Sequence, residues 1–167
     1  MTKARTLATA LALASMGMAG MAAPVPAQAQ TVRILTALTT QDLAEAMEAF
    51  GGQSRLNETP QGGGLSMTVR FASGLNAVAQ FNCNNNTGCT GLHLIAYFPP
   101  GEVLTPQQAL SRVLNFNWGR AAVSAGLDDS GNMFVSRYIV LDGGVTPQNL
   151  VANLQVFEAL ASEFATM

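Results

Sequence analysis

The chain contains one histidine and two cysteines, so the catalytic and metal chemistries open to it are few. A hydrolase triad or a histidine metal site would have to be built on His93. That residue lies between Leu92 and Leu94 in an alternating run, facing the same way as Ile95 and Tyr97, and reads as a structural or surface histidine. No Gly-x-Ser-x-Gly elbow is present. The nearest approach, Ala122-Val123-Ser124-Ala125-Gly126, falls in a strand pattern without the sharp turn a nucleophilic serine needs. Asp128-Asp129-Ser130-Gly131-Asn132 fits no register of a calcium loop and reads as a hairpin turn. Gly62-Gly63-Gly64 lacks the following lysine and helix of a phosphate-binding loop. The remaining carboxylates are scattered, with no pair placed for acid–base work. The expectation is a protein that is not an enzyme, with no catalytic residue, metal or cofactor.

Cys83 and Cys89 bracket Asn84-Asn85-Asn86-Thr87-Gly88, a polar turn-forming stretch between two strand-like runs. In an oxidising compartment two cysteines at the base of one loop should pair, and so short a loop is worth roughly 2–3 kcal/mol in the loop-entropy account. A redox-active pair more often reads Cys-x-x-Cys at a helix start, and a zinc site needs two further ligands where only His93 is on offer. Asn57-Glu58-Thr59 and Asn85-Asn86-Thr87 match the glycosylation sequon but carry little weight.

Two features suit binding. One is the block Asn115-Phe116-Asn117-Trp118 with Arg120 close by, since aromatics with Asn and Arg are common at interfaces; the alternative is a helix end packed on a sheet. The other is low charge, with 49% apolar residues in the whole chain, which leaves room for an apolar groove or a homodimer face.

The N-terminus has the three parts of a cleavable secretory signal. Lys3 and Arg5 precede an uncharged apolar run over 6–23, Pro24 and Pro26 break it, and Ala27-Gln28-Ala29 supplies a small-x-small cleavage pattern. Residues 1–29 are therefore expected to be removed, leaving Gln30 first in a periplasmic or secreted protein. As an uncleaved anchor the run would be at the short end, about 20 residues being typical of a membrane span, and Ser15, Gly17 and Gly20 interrupt it. No cysteine near the cut supports lipid attachment. The mature chain, 30–167, is the size of one domain, has no lysine and is acidic overall. A lysine-free acidic surface excludes Schiff-base chemistry and disfavours nucleic acid and anionic membranes. An unidentified protein partner is the expectation, and a small-ligand-binding periplasmic module is the alternative.

Behind these residues stand helical and strand periods. Leu43, Met47 and Phe50 predict a short helix that Thr39 or Thr40 caps and Gly51-Gly52 ends. Residues 53–64 read as a short edge strand and a loop. Strict alternation over 65–71, 75–83 and 92–98 predicts a three-stranded meander, turned at Ser73-Gly74 and stopped by Pro99-Pro100-Gly101. Thr105-Pro106 opens a helix whose apolar side is expected to hold Ala109, Leu110, Val113 and Leu114. A second hairpin is expected over 120–128 and 132–141. Thr146-Pro147 then opens an amphipathic helix carrying Leu150, Leu154, Phe157, Leu160 and Phe164. The order α-β-β-β-α-β-β-α, with about five antiparallel strands under helices, is an α+β fold.

Phe81-Asn82-Cys83 to Cys89, the Asn115–Trp118 block, and Leu141-Asp142-Gly143-Gly144-Val145-Thr146 followed by Asn149-Leu150 resemble the bacterial YbjN family. The resemblance covers most of 34–164. It implies a fold like that of type III secretion chaperones and a chaperone-like or regulatory role as a sensory transduction regulator. Where that family has an Arg- and aromatic-rich stretch and an acidic strand, this chain has Ala121-Ala122-Val123 and Val135-Ser136-Arg137.

Overall fold

The structure, a computed structural model, describes residues 32–58, 64–84, 88–99 and 104–167. All of them belong to one compact unit, Val32–Met167. The expected signal peptide, Gly62-Gly63, Asn85-Asn86-Thr87 and Pro100-Gly101 lie outside the described residues.

Helix α1 spans Thr40–Ala49 and starts as Thr39 dictates. The Thr39 hydroxyl accepts from the Asp42 N–H, while Asp42 accepts from the Thr39 N–H at 3.0 Å, closing a capping box. The helix ends at Gly51, whose φ of 80° suits a residue without a Cβ. Strands β1 (Gln53–Leu56), β2 (Ser66–Arg70), β3 (Asn76–Cys83) and β4 (Cys89–Phe98) follow, each antiparallel to the one before. Helix α2 (Pro106–Trp118) leads to β5 (Ser124–Leu127) and β6 (Met133–Val140), and α3 (Pro147–Thr166) completes the order. Because β6 rather than β5 pairs with β4, the sheet runs β1-β2-β3-β4-β6-β5.

The fold is α+β as expected, with six strands rather than about five. The sixth is β1, the short polar edge strand expected within 53–64, which the order of about five strands leaves out. The second hairpin is shorter than its expected limits because Ala121–Val123 serve as the connection from α2. Its turn is built as expected: Asp128 accepts from the N–H groups of Ser130 and Asn132, and Gly131 has a φ of 80°.

One face of the sheet carries the core. Met67, Val69, Ala77, Ala79, Phe81, Leu92, Leu94, Ala96, Val135 and Ile139 are buried there. The helices cover them: Phe157 of α3 meets Phe71 at 5.8 Å, and Phe164 meets Phe98 at 5.3 Å and Phe116 of α2 at 5.0 Å. On the opposite face the strands present Arg70, Gln80, Asn82, Tyr97, Tyr138 and Val140 to solvent. Among the described residues no helix packs there.

Candidate binding surfaces

Helix α2 departs from its expected orientation, with consequences for binding. Its core side is Ala109, Val113 and Phe116, whereas Leu110 and Leu114 point outward, 40% and 60% exposed. Phe116 meets Phe164 of α3, and burying that ring turns the Leu110 side of the helix to solvent. The outward row continues through Trp118, which is 93% exposed. Leu110, Leu114 and Trp118 sit at i, i+4 and i+8, so they line one side of the helix. The only charged residue of α2, Arg112, is turned away from them. Its guanidinium lies 4.9 Å from the Phe164 ring centre and donates to the Phe164 carbonyl, where the end of α3 favours a cation.

The structure divides the Asn115–Arg120 block. Phe116 is core. Asn117 is a structural plug: its amide donates to the Ala125 carbonyl at 2.9 Å and accepts from the Ala125 N–H at 2.8 Å, satisfying the outer edge of β5. Arg120 lies over the Phe116 ring at 4.7 Å, pairs with Glu163 and donates to the Phe116 carbonyl at 3.4 Å. The hydrogen bond between Arg120 and Glu163, with their opposite charges, lowers the Glu163 pKa and raises that of Arg120. Asn115 and Trp118 alone of the block face solvent without such a task among the described residues.

The uncovered sheet face is a second surface. Cross-strand registers lay out two aromatic pairs on it, Tyr97 beside Phe134 at 6.3 Å and His93 beside Tyr138 at 6.1 Å. Each has a glycine under an aromatic ring. A Cβ at Gly91 would come 2.0 Å from the Tyr138 hydroxyl, and one at Gly126 would come 2.5 Å from the Phe134 ring. Asn82 holds the Tyr138 hydroxyl from below with a 2.9 Å hydrogen bond. His93 is half-buried on this face, as its alternation predicts, and burial lowers its pKa. These surface aromatics went unread in the sequence as a group, since β5 comes between β4 and β6 in the chain; the alternation of Phe134, Ser136, Tyr138 and Val140 was the available signal.

Cys83 and Cys89 are joined as a disulfide that ties the end of β3 to the start of β4. The Leu38 N–H donates to the Cys89 carbonyl at 2.9 Å, so the staple also anchors the segment leading into α1. Beside it lies a cleft of about 820 Å³, lined by Leu38, Leu56, Leu65, Phe81 and the two cysteines among others. No group of three or more metal-ligating side chains occurs among the described residues, and none of their helices is long and apolar enough to cross a membrane.

No curated protein matches the chain. Among solved structures it is similar to a chain of the HopA1–SchA chaperone–effector complex, with a TM-score of 0.49 and 15% identity over 78% of this chain and 99% of that one. The family model described as "Putative bacterial sensory transduction regulator" matches residues 41–167, which take in all the helices and strands of the described residues except Thr40 at the start of α1, and the chain therefore belongs to the YbjN family.

Proposed function

We propose that residues 30–167 act outside the cytoplasm as a non-enzymatic module of the bacterial envelope that binds a protein partner in a chaperone-like or regulatory role. The observation that carries this reading is the outward row of α2. A helix that has already buried Ala109, Val113 and Phe116 in its own core keeps Leu110, Leu114 and Trp118 in solvent, uncharged and aligned. Apolar side chains aligned on a soluble surface favour association, and tryptophan is enriched among residues that dominate binding energy. Membership of the YbjN family supports the regulatory part of the reading.

The test places a photo-crosslinking amino acid at 114, at 118 and, as a control, at the exposed α3 position 155. Discrete adducts with one protein from 114 and 118, and none from 155, are expected in intact cells. Adducts from all three sites alike, or from none, overturn the reading. The export part has its own measurement. The protein recovered from the periplasm should begin at Gln30, and a cytoplasmic protein that keeps residues 1–29 removes that part.

A second reading, a small-ligand-binding module, rests on the cleft beside the disulfide. Its walls are mostly apolar, and Leu56 on its rim is 54% exposed. Native mass spectrometry decides it: a small molecule that co-purifies with the protein and is lost on Leu65→Trp supports a ligand site there.

A further inference from the structure

Charge in this protein is sorted by layer. Acids outnumber basic residues in the chain, yet the six strands contain no aspartate or glutamate. Their charged residues are Arg55, Arg70 and Arg137. Arg137 points to the core side, donating to Asn153 of α3 and to the Ala122 carbonyl. Arg33 pairs with Asp42, Arg112 with the Phe164 carbonyl, and Arg120 with Glu163. The side chains of Arg55 and Arg70 have no hydrogen bond, ion pair or ring contact among the described residues.

Both belong to the uncovered face, because their ladder partners Thr68 and Asn76 alternate with the buried Met67, Val69 and Ala77. Arg55 pairs with Thr68, which makes Arg70 its diagonal neighbour, and such neighbours are about 7–8 Å apart. Two guanidinium groups at that spacing repel each other, and no carboxylate of the sheet offsets them. An edge strand is often guarded by one charge. That accounts for Arg55 but not for Arg70, which lies on the second strand in.

The same face becomes aromatic across the sheet. Gln53, Arg70 and Asn76 pair in one row, and Tyr97, Phe134 and Gly126 pair in another. Asn76 and Tyr97 each lie two residues beyond the Val78–Ile95 pair toward the same end, so the two rows are one line across all six strands. From β2 to β4 that line covers two strand spacings, about 10 Å, or about three residues of extended chain. Resting on the reading that the domain binds protein, we propose that this face docks a polypeptide segment of a partner. Its carboxylates meet Arg55 and Arg70, and an apolar or aromatic side chain about three residues away covers Tyr97 and Phe134. Nucleic acid and anionic membranes fit poorly, since the rest of the molecule is acidic and would repel a larger anionic surface.

The probe is a fluorescent random copolymer of glutamate and tyrosine, titrated with the purified protein and read by anisotropy. Binding is expected, weakened by salt, about tenfold weaker for the double variant Arg55→Glu/Arg70→Glu, and unchanged for Gln155→Ala on the exposed side of α3. Should the reversal disturb folding, Arg55→Gln/Arg70→Gln removes the charge at similar size and must still weaken binding. Equal binding by wild type and both double variants overturns the proposal. So does binding to phosphatidylglycerol vesicles or heparin without binding to the copolymer, or self-association through this face as the only outcome. Crosslinking from 118 stands or falls independently of these results, so failure here is distinguishable from failure of the protein-binding reading itself.

Discussion

His93 titrates on a sheet that has no carboxylate to favour its charged form, so burial governs and its pKa falls below the usual 6.5. The unfolded chain takes up this proton before the folded protein does. The resulting stability is present above about pH 6.5 and is lost as pH falls through that value toward the folded pKa. His93→Gln should flatten the dependence of urea midpoint on pH between about 7 and 5. An unchanged slope would mean that the histidine is solvated in the folded protein. Asp42 acts in a different window. Burial opposes its charge, but the Thr39 hydroxyl and N–H and the Arg33 guanidinium outweigh that and hold the pKa below the ordinary value of 3.8. Stability from Asp42 is therefore present above about pH 4 and lost as pH falls through the folded pKa. Asp42→Ala removes one half of the capping box and should cost about 1–2 kcal/mol at neutral pH in chemical denaturation.

At the scale of elements, α2 serves the fold and presents a surface. Thr105 and Gln108 close a capping box at its start, Pro106 occupies the first turn, and Asn117 at its end finishes the β5 edge. Asn117→Ala leaves an N–H and a carbonyl of Ala125 without their partner, and a loss of about 1–2 kcal/mol is expected in thermal or urea unfolding. Trp118→Ala, one residue on, removes a ring that touches little of its own protein and should change stability by less than about 0.5 kcal/mol while abolishing crosslinking from position 114. The contrast between these neighbours separates packing from binding within a single block. Periodicity puts Ala109, Leu110, Val113 and Leu114 on one broad side, because Leu110 and Leu114 neighbour Ala109 and Val113 around the helix. Which of the two rows became core was settled by a distant element, α3, whose Phe164 packs on Phe116.

At the scale of the molecule, the Cys83–Cys89 bond joins β3 to β4 at a point where the Leu38 segment is also fastened. Replacing both cysteines with serine should lower stability by roughly 2–3 kcal/mol, and thiol labelling of the unreduced protein should find neither residue. From the sequence alone came the order of helices and strands, the Thr-Pro helix starts, the turn residues and the cysteine pair. Each of these depends on residues near one another in the chain, where period, capping chemistry and loop closure act locally. The open sheet face, the plugging of β5 by Asn117 and the free state of Arg55 and Arg70 were decided only in three dimensions. They depend on which strand pairs with which, and β6 reaches β4 past β5. The sequence shows six arginines and ten acids in residues 30–167 but not who meets whom. Ion pairs such as Arg120–Glu163 join residues far apart in the chain, and only after those pairs form does it emerge that two arginines are left facing solvent beside an aromatic row. The sequence determined the chain's local structure and overall charge; tertiary packing decided which apolar and charged side chains remained available to a partner.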